Sequence, residues 1–170
     1  MTTNSAQQTF TSSDLGVVHT IVDRLIGKAC WQVRFSYGDE LTLHFGDRVS
    51  YAQPSMANME KGSWILGTRG TSWQLSRAPN CIVNSDATPE IMRENVLQIE
   101  GLALMALDIN YPSLGLILTF GEQLQLSVLP SLEDDNYDLP YWELFTPEQY
   151  VLKVGSKLIW SYTRATASKT

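Results

Sequence analysis

The sequence predicts a mainly β protein, either all-β or a β-rich α+β fold. Apolar and polar residues alternate over many short segments, for example at residues 31–35 and 41–45, and this period of two is typical of half-buried strands. Segments rich in Gly, Pro, Asp and Asn separate these runs, as turns do. A series of landmarks also returns roughly 75 residues further along the chain, which indicates two β-rich halves.

Length, composition and charge limit the classes of function. The chain has 170 residues, of which 44% are hydrophobic, so it can form one domain with a sizeable core. Its formal net charge of −6 argues against nucleic acid and against an anionic membrane surface as partners. Small molecules, neutral proteins and basic proteins remain open as partners, and no cofactor is expected.

We expect a cytoplasmic protein with reduced thiols. The first residues lack the cationic and apolar regions of a signal peptide, and no apolar run reaches the about 20 residues that span a bilayer. Cys30 and Cys81 belong to no CxxC pair, which favours two reduced cysteines over a disulfide.

Two short helices are expected beside the strands. The N-terminal helix starts with Ser13 or Asp14 as its cap, and Gly27 is placed to end it. A second helix links the two halves, with a Thr-Pro start at residues 88–89 and an end near Asn95.

The expected strands are the segments in which apolar residues alternate with polar ones. In the first half they are residues 31–35, 41–45, 49–51, 64–66, 73–75 and 81–83. In the second half they are residues 105–109, 116–120, 124–126, 142–144, 150–152 and 158–162. Gly46 with Asp47 fits a two-residue hairpin turn, and Gly121 with Glu122 fits the same turn in the second half.

A β-hairpin is expected at corresponding places in the two halves. Residues 62–75 predict a strand, a Gly-rich turn and a second strand, and residues 141–152 repeat the Trp-x-Leu start and the return strand. Chance similarity between two β-rich halves is the alternative to duplication. The order of the shared Phe-Gly-acidic, Pro and Trp-x-Leu landmarks favours duplication.

The expected organisation is a single domain at residues 13–162, between a flexible tail at residues 1–12 and a polar tail at residues 163–170. Two pseudo-repeats, at about residues 25–83 and 97–162, each supply four to five antiparallel strands. Two such units can bury their apolar faces together as a closed barrel or as a two-layer sandwich.

The second half resembles a family of small uncharacterised bacterial β-rich proteins. The resemblance rests on residues 97–101, on LILTFGEQLQL at residues 116–126, and on residues 141–160, which begin with YWELF and end with VGSKLIW. A fainter version covers the first half. The family has no established activity, but some similar proteins stand beside toxin genes and are thought to be immunity proteins, which implies a protein partner. Its motifs are structural, so the resemblance implies no catalytic residue.

Residues with reactive side chains form no catalytic or metal-binding motif in the sequence. His44 takes a polar strand position and His19 lies on the first helix, outside any nucleophile or zinc motif. Cys30 has no sequence neighbour that would lower the pKa of its thiol. The Gly-rich segment at residues 67–71 lacks the Lys-Ser/Thr pair and the helix of a P-loop, so we expect a tight turn with Arg69 at its tip.

The expected partner-binding residues lie in loops and at strand ends. Their largest group is an acidic cluster of Glu133, Asp134, Asp135, Tyr137 and Asp138. This cluster is either a solvated loop or a docking patch for a basic partner. Tyr51 and Met56 flank the first long loop, and aromatic and Met residues are common in interface cores. Arg69 can contact a carboxylate of a partner.

Three functions are open on these grounds. The favoured one is a non-catalytic intracellular protein-interaction module, such as an immunity-like binder of a basic protein, because it fits the acidity and the missing catalytic set. The alternatives are a small-ligand binder with an aromatic-lined cavity inside a β-barrel, and an enzyme with a loop-borne site that uses His44, Cys30 or the acidic cluster. A homodimer is also reasonable for a duplicated chain.

Overall fold

Two antiparallel sheets make up most of the structure, a computed structural model that describes residues 4–36, 38–131, 134–135 and 139–165. The larger sheet has seven strands, which lie in the spatial order β1 (Asn4–Thr9), β12 (Ile159–Arg164), β11 (Tyr150–Val154), β10 (Trp142–Phe145), β4 (Glu60–Thr68), β3 (Glu40–Ser50) and β2 (Cys30–Ser36). The smaller sheet has five, in the order β6 (Asn80–Asn84), β5 (Ser72–Arg77), β9 (Leu124–Leu129), β8 (Leu116–Phe120) and β7 (Leu104–Ile109). The prediction of a mainly β fold is confirmed.

Two short α-helices lie where the sequence predicts them. Helix α1 (Asp14–Val22) continues into a 3₁₀ turn at Asp23–Leu25, and Gly27 follows with φ +93°. Helix α2 (Pro89–Val96) begins with its proline, as expected, and continues into a 3₁₀ turn at Leu97–Ile99. Within the described part of the chain, no helix has the length and apolar character needed to cross a bilayer.

The hydrophobic core lies between the two sheets. On β8, Leu116, Leu118 and Phe120 are buried while Ile117 and Thr119 are only half-buried, which is the period of two that the sequence shows. Across the core, the Phe120 ring stacks on the Phe45 ring of β3 with 6.4 Å between centroids. The strand orders end without closing on each other, so the sandwich alternative fits and the closed barrel does not.

Two predicted hairpin turns are wrong. Residues 62–75 form no hairpin, because β4 belongs to the seven-stranded sheet and β5 to the five-stranded sheet. Gly46 and Asp47 form no turn either. The chain continues through them as one strand, β3, with a bulge between the pairs Phe45–Trp64 and Arg48–Gly62. The turn at Gly121 is present, as a 3₁₀ turn at Gly121–Gln123 between β8 and β9.

The expected tails are shorter than predicted. Residues 4–9, placed in a flexible tail, form β1 at the edge of the larger sheet, and the buried Phe10 follows them. Residues 163–164, placed in the polar tail, extend β12. Residues 1–3 and 166–170 lie outside the described residues.

The two halves meet through a symmetric set of backbone contacts. Gly27 donates to the carbonyl of Leu104, and Gly101 donates to the carbonyl of Cys30, both at 2.7 Å. Between them an antiparallel bridge pairs residue 29 with residue 103. In each bond a glycine of one half donates to a strand residue of the other half, and the two bonds occupy corresponding places of the two halves. Duplication of the chain stays a prediction.

Candidate functional site

The chain passes from one sheet to the other at two adjacent places, which we call the crossing end. Residues 69–71 connect β4 to β5, and residues 130–141 connect β9 to β10. Tyr141 ties the two connections together, because its carbonyl accepts the backbone N–H of Arg69 at 3.0 Å and the hydroxyl of Thr71 at 2.8 Å. The crossing end therefore gathers side chains that are distant in sequence.

Arg69 lies between two carboxylates at this end. Its Nη1 is 3.3 Å from Oε2 of Glu40, and its Nε is 3.8 Å from Oε1 of Glu143. Both carboxylate side chains are only 13% exposed, whereas that of Arg69 is 32% exposed. Burial raises the pKa of Glu143, and the charge of Arg69 opposes this rise. Arg69 thus offsets two half-buried negative charges within its own chain.

Asp135 is bonded to two other parts of the crossing end. Its Oδ1 accepts the hydroxyl of Tyr141 and, at 3.0 Å, the backbone N–H of Lys157. The Tyr141 bond, followed by the Lys157 bond, lowers the pKa of the Asp135 carboxyl below its usual range. Burial and the Asp135 contact raise the pKa of Tyr141. At neutral pH the pair is therefore a phenol donating to a carboxylate.

The ring of Tyr141 also fixes the β11–β12 turn. It lies against Gly155, which has φ +79° and no room for a Cβ, because such an atom would overlap the ring. Only glycine satisfies both conditions at this position. Tyr141 consequently holds Asp135 on one side and the turn on the other.

An open cavity of about 760 Å³, which we call the crossing groove, lies between the β7–β8 connection, residues 130, 131 and 135, and the β11–β12 turn. Pro112, Pro130 and Leu158 form its apolar wall, and Asp135 and Lys157 are its charged lining residues. The groove joins an apolar surface to an ionised carboxylate, which is the chemistry of a site for an amphipathic ligand.

Two exposed apolar residues, which we call the rim, directly precede residues that line this groove in the chain. Tyr111, next to Pro112, is 42% exposed, and Leu129, next to Pro130, is 46% exposed. A second cavity, of about 520 Å³, lies beside the same turn and is lined by Lys153, Lys157 and Trp160 among others.

The expected partner-binding residues that the structure describes do not form one surface. Asp134 and Asp135 lie at the crossing end with Arg69, and Oδ2 of Asp134 accepts the backbone N–H of Ser131 at 2.7 Å. Tyr51 and the 3₁₀ turn Pro54–Met56 lie at the opposite end of β4, a nine-residue strand that spans roughly 26 Å. Glu133, Tyr137 and Asp138 lie outside the described residues.

Residue types alone did not identify several members of the crossing end. Glu40 and Glu143 interact with Arg69 from two other strands, so no local motif reveals them. The only sequence signal for Glu143 is its place between the buried residues Trp142 and Leu144, which puts it on the outer face of β10.

Cys30 and His44 are both buried. Burial raises the pKa of the Cys30 thiol to about 12, so the thiol remains protonated at neutral pH. Burial, with a smaller contribution from Arg34 and Lys61, lowers the pKa of His44 to about 4, and its Nδ1 accepts the N–H of Gly62 at 2.9 Å. Among the described residues, no three His, Cys, Asp or Glu side chains lie together as a metal site would need.

Comparison with known proteins finds no family model, no curated protein and no solved structure that matches this chain.

Proposed function

We propose that the chain is a non-catalytic protein-interaction module that binds a basic segment of a partner protein in the crossing groove. The observation that carries this proposal is the apolar wall beside Asp135, whose lowered pKa keeps it charged at neutral pH. An apolar side chain of the partner would be removed from water when it packs against Pro112, Pro130 and Leu158. A neighbouring Lys or Arg would pair with Asp135.

The exposed rim and the charge of the chain support the same proposal. Tyr111 and Leu129 are exposed apolar residues that directly precede groove residues in the chain, and aromatic residues are frequent hot spots of protein interfaces. The net charge of −6 favours encounters with a basic partner over an acidic one. An immunity-like role is a narrower form of this proposal, and it rests on the resemblance of the second half to proteins thought to neutralise toxins.

Small-molecule binding in the same groove is the second candidate. The cavity volume of about 760 Å³ lies within the range of roughly 300–1,000 Å³ that is usual for small-molecule sites. Such a ligand would bind at the surface, because the sheets do not close into the barrel that the sequence suggested for it. An enzyme using Cys30 and His44 has weaker support, since the thiol is protonated and both side chains are buried.

The test uses two pairs of surface substitutions. Affinity capture with the full chain identifies a partner, and the purified partner is then titrated calorimetrically. We expect Tyr111→Ser with Leu129→Ser to weaken binding at least tenfold, because the rim loses its apolar surface. The matched control, Ile91→Ser with Met105→Ser, removes residues that are 48% and 61% exposed away from the groove, and it should leave affinity unchanged.

Two outcomes would contradict the proposal. One is equal affinity of the purified partner for the rim variant and for the unmodified chain. The other is binding that is insensitive to salt, because a charge pair at Asp135 requires the affinity to fall as ionic strength rises.

A further inference from the structure

The second cavity, of about 520 Å³, lies at the outer side of the larger sheet beside the β11–β12 turn. Lys153 of β11 and Ser161 of β12 both line it, and they are direct neighbours in the pairing of these two strands. Each stands between buried core residues of its strand, so both side chains point away from the core. The cavity therefore brings an ammonium and a hydroxyl together on one face of the sheet.

The hydroxyl of Ser161 lacks a partner within the part of the chain that the structure describes. Ser161 is only 8% exposed, and none of the described residues forms a hydrogen bond with its hydroxyl. Buried polar groups in native proteins are paired with protein atoms, with water or with a ligand, because leaving them unpaired costs free energy. Since this hydroxyl lines the cavity, a molecule bound there can supply the missing partner.

Two lysines make the cavity suitable for a negative charge. Lys153 stands beside Ser161, and Lys157 lines the cavity from the β11–β12 turn. No Asp or Glu is present among the described residues that line it. An anion placed here can accept a charge-assisted hydrogen bond from the Lys153 ammonium and a second bond from the Ser161 hydroxyl.

Two carboxylates face these lysines from neighbouring elements, and both are engaged outside the cavity. Glu143 lies opposite Lys153 in the pairing of β10 with β11, and its Oε1 is 3.8 Å from Nε of Arg69. Asp135 acts on the charge of Lys157, and its Oδ1 accepts the backbone N–H of that residue at 3.0 Å. These carboxylates reduce the local positive potential, but neither lines the cavity.

The remaining walls of the cavity are suited to an apolar molecular body. Leu139, Pro140 and Ile159 supply apolar surface, and Trp160 adds an aromatic side chain. Arginine, whose planar guanidinium is preferred for phosphate, is absent from the described lining residues. The volume of about 520 Å³ lies within the roughly 300–1,000 Å³ that is usual for small-molecule sites.

From the unpaired hydroxyl, the lysine beside it and the apolar walls we infer that this cavity binds a small organic molecule with one carboxylate and an apolar body. The carboxylate lies between the Lys153 ammonium and the Ser161 hydroxyl, and the body packs against Pro140 and Ile159, where it is removed from water. The inference goes beyond partner binding at the crossing groove, because neither Lys153 nor Ser161 lines that groove.

An amide NMR titration of the full chain with benzoate tests the inference. We expect saturable shifts of the signals of Lys153, Ser156 and Ser161. Benzamide, which has the same ring without the charge, should cause no saturable shift. Lys153→Met should weaken benzoate binding at least tenfold. Lys61→Met is the matched control, because it removes a lysine of β4 that does not line the cavity, and it should leave the affinity unchanged.

Ser161→Ala separates ligand binding from a structural role. Because the hydroxyl has no partner among the described residues, urea unfolding of the free variant should match that of the unmodified chain. Its affinity for benzoate should nevertheless fall about tenfold, since one hydrogen bond to a charged group is lost.

Inorganic phosphate separates a carboxylate site from a general anion site, and at equal concentration it should not displace benzoate. Absence of benzoate-induced shifts would overturn the inference, and so would equal shifts with benzamide or displacement by phosphate. Unchanged affinity of Lys153→Met or of Ser161→Ala would also overturn it. Binding of a partner at the crossing groove is measured separately, so either result leaves that proposal to its own test.

Discussion

The hydroxyl of Tyr141 donates a hydrogen bond to the carboxylate of Asp135, and this bond joins Asp135 to the last residue of the connection between β9 and β10. The same carboxylate accepts the backbone N–H of Lys157 from the β11–β12 turn. One acidic residue therefore organises two walls of the crossing groove while it supplies the groove's negative charge.

Tyr141→Phe should destabilise the fold by about 1 kcal/mol at neutral pH, because a hydrogen bond to a charged but partly exposed group is lost. The folded-state pKa of Asp135 is lowered, so its contribution is present above its ordinary value of 3.8 and disappears as the pH falls through the folded-state value. Urea unfolding of Tyr141→Phe, Asp135→Asn and the double variant should give a coupling free energy near 1 kcal/mol. Additive effects would show that the bond does not form. Tyr111→Phe, at an exposed tyrosine, serves as the control.

Arg69→Ala should cost about 1–3 kcal/mol, because it leaves Glu40 and Glu143 half-buried without their shared cation. The loss should be smaller at pH 5 than at pH 7.5. Glu143 already has a raised pKa, and without Arg69 it rises further, so its proton relieves the repulsion at low pH. Glu143→Gln in the Arg69→Ala background should recover part of the stability. An equal loss at both pH values, measured by urea unfolding, would contradict this interpretation.

His44 should make the protein less stable as the pH falls from 6.5 towards 4. Its folded-state pKa is lowered to about 4 from 6.5, so the unfolded chain takes up the proton first, and stability is highest above pH 6.5. The shift from 6.5 to about 4 corresponds to about 3 kcal/mol, which is fully lost below pH 4. Protonation of Nδ1 would also break the bond that it accepts from the N–H of Gly62 on β4. The same dependence in His19→Gln assigns it to His44, and its disappearance in that variant would assign it to His19.

Gly62→Ala should destabilise the protein by about 3 kcal/mol or more. The new Cβ would lie 2.6–2.7 Å from backbone atoms on both sides, and backbone cannot move away as a flexible side chain can. Gly16→Ala is the matched control, since no atom lies within 4 Å of its Cβ position in α1. That change should stabilise by about 0.5–1 kcal/mol. Thermal unfolding of both variants provides the comparison, and a neutral Gly62→Ala would show that the bulge is looser than described.

The local sequence pattern predicted the strands and helices of this fold better than it predicted which strands lie side by side. The period of two identified strands such as β8 and β9, and the Thr-Pro signal identified α2. Alternation tells which side chains share a face but not which strand lies alongside. Alternation at residues 62–75 therefore predicts a hairpin, although their two strands enter different sheets.

The Trp-x-Leu similarity misled for the same reason. The sequence pairs Trp142 with Trp64, but Trp142 and Trp73 play matching parts in the fold. Each is fully buried, and each donates its indole N–H to a backbone carbonyl, that of Leu114 at 3.0 Å or that of Asp39 at 2.7 Å. Those two carbonyls lie in the strand connections that precede β8 and β3. The matching roles of Trp142 and Trp73 depend on long-range packing, and a short sequence motif does not encode that packing.

The candidate site was only partly predictable. The acidic cluster and Arg69 can be recognised in the sequence. Asp134 and Asp135 of that cluster lie at the crossing end together with Arg69. Their intramolecular partners come from distant strands, and so does the apolar wall of Pro112, Pro130 and Leu158. Tyr51 and Met56, which the sequence places beside the first long loop, lie at the other end of β4.

The most direct measurement of the proposed function is an amide NMR titration of the chain with two short synthetic peptides, one of alternating Lys and Leu and one of alternating Glu and Leu. We predict that the lysine peptide shifts the amide signals of Ser113, Ser131 and Leu158 in the groove, and that added salt reverses the shifts. The glutamate peptide should leave these signals in place. Groove signals that do not move with the lysine peptide, or that move equally with both, would contradict the proposal that this groove recognises a basic, apolar segment.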